Sequence, residues 1–301
     1  MTGASELLAT IRSLPPLPAG ISRLLSLDQA EPSYLEKASG IIRTDPALVA
    51  QIIKIANSAV YTGQDRVDTL ERALLRVGVR TAVNALVSAH LQRAFSPQEE
   101  RLQALWVTNL LAAILARSIA EAQPALEIVP ETAYTFGLLH DVGRLVMILM
   151  DHDASALRAS VHPVRELHQL EKESFPHDHQ MAGRLLAHGW HFPRTLALVI
   201  ATHHEPSERR AGHPPIVERL VNLMALVDHV GMNILAGLPE CEDLEGGVAA
   251  TLQEEDVAAL SDDLGLSRKD ILQVLAPALS ELKLHARGMG IPLDQGIASA
   301  R

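Results

Sequence analysis

Histidine and aspartate side chains follow one another along this chain in an order that suits metal binding. His140 and Asp141 are adjacent at the end of an apolar helical stretch, where both side chains can turn toward one ion. A neutral imidazole and a carboxylate oxygen are both ligands for divalent transition metals. The other candidates lie at predicted helix ends or on a buried helix face; they are His179, His203, His204 and Asp228. The set predicts a site for one or two divalent transition-metal ions.

Asp228 is the most informative single residue of the set. Apolar residues at helical spacings on either side place its carboxylate on the buried face of a helix. A buried carboxylate must be paired, protonated or bound to a metal. Structural alternatives stay open, since Asp228 can form a buried salt bridge, His140 can bond to a backbone carbonyl, and His203 with His204 can cap a helix dipole. In those interpretations the site holds no metal.

The remaining histidines are not part of this pattern, although twelve of the 14 histidines lie between His140 and His229. His90 falls on the apolar face of its helix and is predicted to be a packed core residue. Seven others are predicted to be surface or loop residues; they are His152, His162, His168, His177, His188, His191 and His213.

Apolar periodicity predicts the helices that position the cluster. They span residues 105–121, 131–140, 180–187, 195–204 and 216–235, with a loop-rich section at 151–179. Asp178 is an expected N-cap, which places His179 in the first turn of its helix. His203 and His204 fall in a last turn before Pro206. Terminal turns of this kind direct side chains into a cleft between helices.

Prolines, glycines and helix-capping residues divide the rest of the chain into segments. The proline-rich segment 14–20 is predicted to be extended. Asp45 is an expected N-cap, Asp68 with Glu71 an expected capping box, and Gly78 an expected helix end. Three units result: an N-terminal helical subdomain at 1–100, a helical core at 101–238 and a C-terminal helical extension at 239–301, the last beginning with an acidic linker at 239–247.

Composition narrows the class of protein. The chain has 301 residues, of which 48% are hydrophobic and only 3% aromatic, and strand-forming residues are scarce, so we expect an all-α fold. The net charge of -10 disfavours binding to phosphate backbones and anionic lipids. The single cysteine, Cys241, excludes an internal disulfide, and the N-terminus lacks a secretory pattern. Charged residues interrupt the apolar stretches. We therefore expect a cytoplasmic protein with no membrane or nucleic-acid partner.

Several segments together resemble the HDOD domain, the HD-related output domain of bacterial signalling proteins. They are LPPLP, IIRTDPALVAQIIKIANSAVY, ERALLRVGV, the Leu105–Trp106 pair, GLLHDVGRLV, DHQMAGRLLAHGW and HHEP. The resemblance covers roughly residues 14–228 in the order of that family. It implies an N-terminal helical bundle packed on a core related to the HD phosphohydrolases, with a C-terminal helical extension beyond it.

The resemblance also implies a regulatory module, because HDOD domains generally lack the full metal-ligand set of the HD hydrolases. This chain keeps the six residues of the predicted set at the positions of that pattern. It departs at the first position, where the pattern expects a histidine and this chain has Thr108 and Asn109. It also lacks the GYP motif that follows in cyclic-di-GMP hydrolases, which disfavours that reaction.

Three functions follow from these observations. The leading one is a non-catalytic signalling regulator that acts through contacts with signalling protein partners, with a metal or small ligand in a degenerate HD site. The alternative is a metal-dependent phosphohydrolase acting on a nucleotide or phosphodiester. The third is a regulator whose ion stabilises the fold without turnover. With about thirteen residues before the proline-rich segment, we expect the signal to come from a separate partner or from a ligand in the cleft.

Overall fold

The computed structural model describes residues 3–61, 65–97, 99–150, 164–206, 210, 212–237 and 255–291. Regular structure within these ranges is helical, which confirms the all-α fold class. In chain order the helices are α1 (Gly3–Ser13), α2 (Ala19–Leu25), α3 (Tyr34–Arg43), α4 (Pro46–Ala56), α5 (Leu70–Val77), α6 (Val79–Ala94), α7 (Glu100–Ala122), α8 (Pro130–Leu139), α9 (Val142–Met150), α10 (Val164–Ser174), α11 (His179–Gly189), α12 (Arg194–Thr202), α13 (Pro215–Gly237), α14 (Glu255–Asp263) and α15 (Arg268–Met289). Cys241 and the predicted linker at 239–247 lie outside the described residues.

Capping residues fix the helix starts of the N-terminal part. The Asp45 carboxylate accepts hydrogen bonds from the backbone amides of Ala47 at 3.0 Å and Leu48 at 3.3 Å, as an N-cap must. The capping box predicted at Asp68 and Glu71 is wrong. The cap of α5 is Thr69, whose hydroxyl accepts a bond from the third helical amide, because the helix begins one residue later than the pattern suggested.

The C-terminal helix α15 packs along α7 and extends the core. The helix begins with a capping box, in which the Ser267 hydroxyl and the Asp270 carboxylate each accept from the other residue's backbone. Ile271, Leu275 and Leu282 on its apolar face are buried. The C-terminal helix therefore packs into the same hydrophobic core as the central helices.

Glycines allow the site helices to approach each other at backbone distance. A Cβ added at Gly137 of α8 would meet Ala113 Cα of α7 at 2.6 Å. A Cβ at Gly143 of α9 would meet the Gly183 amide of α11 at 2.6 Å and lie still closer to the His179 carbonyl oxygen. Any side chain at Gly143 would separate these two helices, so the glycine sets the position of Asp141 relative to His179.

Two helical stretches are long and apolar enough to span a bilayer by composition alone, Leu102–Ala122 and Pro130–Met150. The most apolar windows of these stretches are 78% and 83% buried inside the protein. They are the central helices of the hydrophobic core, and their apolar character is explained by that burial.

The loop-rich section predicted at 151–179 is wrong in its second half. Residues 164–174 form the helix α10, while 151–163 lie outside the described residues. The sequence of α10, VRELHQLEKES, is mostly polar, so apolar periodicity does not predict this helix. This helix contributes two side chains to the site.

Candidate metal centre

The six predicted residues come together in one buried cluster between helix ends. His140 and Asp141 lie at the junction of α8 and α9 and His179 begins α11. His203 caps the end of α12, His204 follows it, and Asp228 lies within α13. The side chains of all six are 5% exposed or less. The distant segments that carry them therefore converge on one small volume.

Three ligand atoms of this cluster form an almost equilateral triangle. Asp141 Oδ1 lies 3.3 Å from His203 Nε2 and 3.4 Å from His179 Nε2, and the two Nε2 atoms are 3.3 Å apart. A tetrahedral ion with bonds of about 2.0–2.1 Å has ligand atoms about 3.3–3.4 Å apart. A ligand atom of His204 lies within 4.8 Å of all three. The triangle therefore has the dimensions of one face of a metal coordination sphere.

The rings of these histidines are oriented by bonds at Nδ1. In His140 and His203 this atom donates to the backbone carbonyls of Gly137 at 2.8 Å and Ile200 at 3.0 Å. In His179 it donates to a Glu171 carboxylate oxygen at 2.6 Å. Because Nδ1 carries the proton, Nε2 is left with its lone pair facing the cluster, as in metal-binding histidines.

A second, wider group adjoins the triangle. His140 Nε2 is 3.9 Å from Asp141 Oδ2 and 3.8 Å from Asp228 Oδ1, and His204 Nε2 is 3.5 Å from Asp228 Oδ2. The Nε2 atoms of both histidines and Asp228 Oδ2 are buried and have no hydrogen-bond partner among the described residues. Buried polar atoms are rarely left unpaired, so this group is also suited to a ligand.

Arg144 and Glu171 belong to the cluster and were not predicted as site residues. Arg144 Nη1 donates to Asp141 Oδ2 at 2.6 Å, and its Nε donates to Glu171 Oε1 at 3.4 Å. Both side chains are almost completely buried. The spacing of three residues between Asp141 and Arg144 on one helix was a usable signal for this pair. Glu171 gives no such signal, because it lies on a mostly polar helix in a segment whose sequence predicts a loop.

His168 also lies at the cluster, which corrects its predicted surface position. Its ring centroid is 4.1 Å from that of His204 and 5.3 Å from that of His179. Burial, together with His179, lowers the pKa of His168 to about 4. The α10 helix places this neutral imidazole against the other rings. His188 and His191 are exposed as predicted, and His152 and His162 lie outside the described residues.

The carboxylates dominate the electrostatics of the cluster. Burial would lower the pKa of His179, but Glu171 and Asp141 outweigh that effect and raise it above its usual value. The same balance, with Asp141 and Asp228 as partners, raises the pKa of His140. Both upward shifts show that the nearby carboxylates favour the charged form of these two histidines.

The acidic side chains of the cluster remain ionised, because neighbouring positive groups lower their pKa. Burial would raise the pKa of Asp141, but Arg144 and His140 hold it well below the usual range. Burial opposes ionisation of Glu171 too, yet His179 and Arg144 lower its pKa to about 2. Asp141, Glu171 and Asp228 are therefore three buried negative charges, and Arg144 supplies one permanent positive charge. Two negative charges remain to be balanced by protons or by a divalent ion.

Thr108 and Asn109 of α7 stand at the first position of the pattern and carry a hydroxyl and an amide in place of an imidazole. The Thr108 hydroxyl donates to the Leu105 carbonyl at 3.0 Å within its own helix. The Asn109 side-chain oxygen is buried and has no hydrogen-bond partner within the part of the chain that the structure describes. Neither side chain replaces an imidazole ligand, so the ligands that fit an ion come from α8, α9, α11, α12 and α13. Those residues form two groups that could each hold a metal ion, the triangle with His204 and the group of His140, Asp141 and Asp228.

Comparison with known proteins gives one family and several related structures. The HDOD domain family model matches residues 14–206 of the chain. A curated uncharacterised protein of Treponema pallidum (strain Nichols) is 25% identical over 219 residues, which are 71% of this chain. The chain spans 42% of the length of that relative.

Two crystal structures share the fold. A protein of Shewanella amazonensis SB2B, named as a candidate phosphohydrolase, has a TM-score of 0.59 at 23% identity, with 99% of this chain and 98% of that chain covered. A protein of Marinobacter aquaeolei VT8, named as a candidate signal transduction protein, has a TM-score of 0.69 at 22% identity, with 96% and 66% covered. At these identities the likeness supports the helical architecture alone.

Proposed function

The chain belongs to the HDOD family, and from that membership and the geometry of the cluster we propose that it is a signalling regulator that does not hydrolyse phosphoesters. It acts through contacts with protein partners and holds one divalent transition-metal ion at Asp141, His179 and His203. An ion bound there neutralises buried carboxylates and ties α9, α11 and α12 together. The metal thus contributes to the stability of the fold.

Burial of the cluster is the observation that carries this proposal. The side chains of Asp141, His179 and His203 are 1% exposed or less. A catalytic metal must keep one coordination position open to water and substrate. An ion held by these three side chains, with His204 as the fourth ligand, would have no open position and is suited to a structural role. The loss of a histidine at the first position, where Thr108 and Asn109 stand, supports the same conclusion.

The alternative function, a metal-dependent phosphohydrolase, is favoured by the retained His140–Asp141 pair and by Asp228. These residues adjoin the triangle and have unpaired polar atoms that a second ion or a substrate could engage. The two functions differ in a measurable property, which is turnover of a phosphoester by the metal-loaded chain.

Hydrolysis assays on the metal-loaded chain separate the two functions. Phosphomonoesters, phosphodiesters and nucleotides are incubated with the wild-type chain and with a His140→Ala, Asp141→Ala variant. The regulator forms no more hydrolysis product than the variant does, whether that product is inorganic phosphate or the monoester left by a phosphodiester. Hydrolysis that the double substitution abolishes would establish the phosphohydrolase and overturn the proposal.

Thermal unfolding tests the stabilising role of the ion. Removing a ligand that binds only the folded state lowers stability by about 2.7 kcal/mol when its concentration had been about 100 times Kd. We expect a chelator to lower the Tm of the wild-type chain and to leave that of the double variant unchanged. A wild-type Tm that does not respond to the chelator would remove the metal from the proposal.

A further inference from the structure

Arg144 is a buried cation inside a group of metal-ligand residues. Its side chain is 2% exposed and lies between two carboxylates, with Nη1 at 2.6 Å from Asp141 Oδ2 and Nε at 3.4 Å from Glu171 Oε1. An arginine keeps its charge at any pH at which the protein is folded. The cluster therefore contains one positive charge that neither a chelator nor a change of pH removes.

The position of Arg144 divides the two oxygens of Asp141 between different partners. Oδ1 faces the Nε2 atoms of His179 and His203 at 3.3–3.4 Å. Oδ2 accepts the hydrogen bond from Arg144 and is also the oxygen nearest to His140 Nε2, at 3.9 Å. A second ion held by His140 and Asp228 would take Oδ2 as its ligand from Asp141, with His204 Nε2 as a further donor beside Asp228. The hydrogen bond from Arg144 places a fixed positive charge at that oxygen, which opposes such an ion.

Charge balance leads to the same number of ions. The described part of the cluster holds three buried carboxylates, those of Asp141, Glu171 and Asp228, and the one guanidinium of Arg144. One divalent ion with neutral imidazoles leaves no net charge. A second divalent ion, even with a bound hydroxide, would leave one uncompensated positive charge in a buried volume, which is unfavourable. With the guanidinium removed, two ions and one hydroxide would again balance the three carboxylates.

We propose that the guanidinium of Arg144 supplies the positive charge that a second metal ion would otherwise bring, and so restricts this cluster to one divalent ion. Arg144 is thus a positioning residue that sets metal stoichiometry. The inference rests on the proposed function only in that the cluster binds metal, and it does not depend on whether the bound ion is catalytic.

The ratio of metal to protein tests this role directly. Wild-type chain and an Arg144→Met variant are equilibrated with zinc in excess, passed through a desalting column and measured by elemental analysis. We expect one ion per wild-type chain and two per Arg144→Met chain. Arg144→Lys, which keeps the charge, is expected to retain one ion.

A matched control uses another buried arginine. Arg210 is 4% exposed and pairs with Glu218 at 3.1 Å and Asn222 at 2.8 Å, none of which is in the cluster. Arg210→Met is expected to keep one ion per chain. A second ion in this control would show that loss of any buried guanidinium adds metal, which would overturn the assignment to Arg144.

The wild-type chain keeps the proposal testable if Arg144→Met does not fold. Native mass spectrometry of wild-type protein titrated with zinc is expected to show saturation at one ion. Two ions in the wild type, or one ion in both the wild type and a folded Arg144→Met variant, would overturn the inference. Zinc-free wild-type protein would overturn both this inference and the metal-binding part of the proposed function. Phosphoester hydrolysis with one ion would overturn only the non-catalytic role.

Discussion

Replacement of Gly143 by alanine tests how the crossing of α9 and α11 sets the cluster geometry. The added Cβ would lie 2.6 Å from the Gly183 amide nitrogen and 2.9 Å from the His179 carbonyl carbon. Both atoms belong to the backbone of α11, so no side-chain rotation relieves the contact. Restoring an ordinary 3.4 Å contact to Gly183 requires a movement of at least 0.8 Å. That movement is large against the 3.4 Å separation of Asp141 Oδ1 and His179 Nε2.

The expected result is a weaker metal site on a destabilised fold. Overpacking of this kind costs about 1–3 kcal/mol of folding stability. We expect metal affinity to fall on the order of 100-fold, equivalent to about 2.7 kcal/mol. Competition with a chromogenic chelator measures the affinity, and urea unfolding of the metal-free chain measures the stability.

A second glycine provides the control for that experiment. A Cβ at Gly231 of α13 would meet Leu111 at 3.6 Å, an ordinary contact, although Gly231 lies one turn from Asp228. Gly231→Ala should therefore preserve metal affinity and, through helix propensity, add up to about 1 kcal/mol of stability. The reasoning is refuted if Gly143→Ala binds metal as tightly as Gly231→Ala does.

Three further predictions concern other parts of the chain. Glu171→Gln removes the carboxylate that orients His179, so metal affinity measured by chelator competition should be about 10–100-fold weaker. Glu173→Gln, exposed on the same helix, should leave metal affinity unchanged. Equal affinities of the two variants would contradict the orienting role. His90→Phe should flatten the pH dependence of stability. Burial lowers the pKa of His90, so the unfolded chain binds the proton more tightly and stability falls as the pH drops below about 6.5. Urea midpoints are compared at neutral and acidic pH. An equal fall in the wild-type chain and the His90→Phe variant would argue against this role. Asp45→Ala removes the N-cap of α4 and should lower stability by about 1 kcal/mol in urea unfolding, a value near zero being the contrary result.

Helix-capping residues and glycines, which act within a few residues of the chain, predict many of the helix ends. Asp45, Asp178 and Ser267 have side chains that satisfy helix amides within three residues, so their roles can be read from short segments. The same holds for Gly78, whose backbone φ of +82° follows the end of α5. The six predicted site residues could be grouped because each lies at a recognisable helix end or on an apolar helix face.

The missing parts of the cluster depend on packing between distant segments. Glu171 and His168 lie on a mostly polar helix, and only the approach of α10 to the ends of α11 and α12 buries them. The sequence shows Arg144 three residues after Asp141, but its complete burial follows from the crossing of helices at Gly143. Close backbone contacts of this kind leave no periodic signal in a single sequence.

The metal triangle is the structural basis of the proposed function, and anomalous diffraction tests it most directly. Crystals of the wild-type chain grown with zinc are measured on both sides of the zinc absorption edge. The account predicts one anomalous peak within bonding distance of Asp141 Oδ1, His179 Nε2 and His203 Nε2. A peak held only by His140 and Asp228, or a cluster with no peak at saturating zinc, would contradict it.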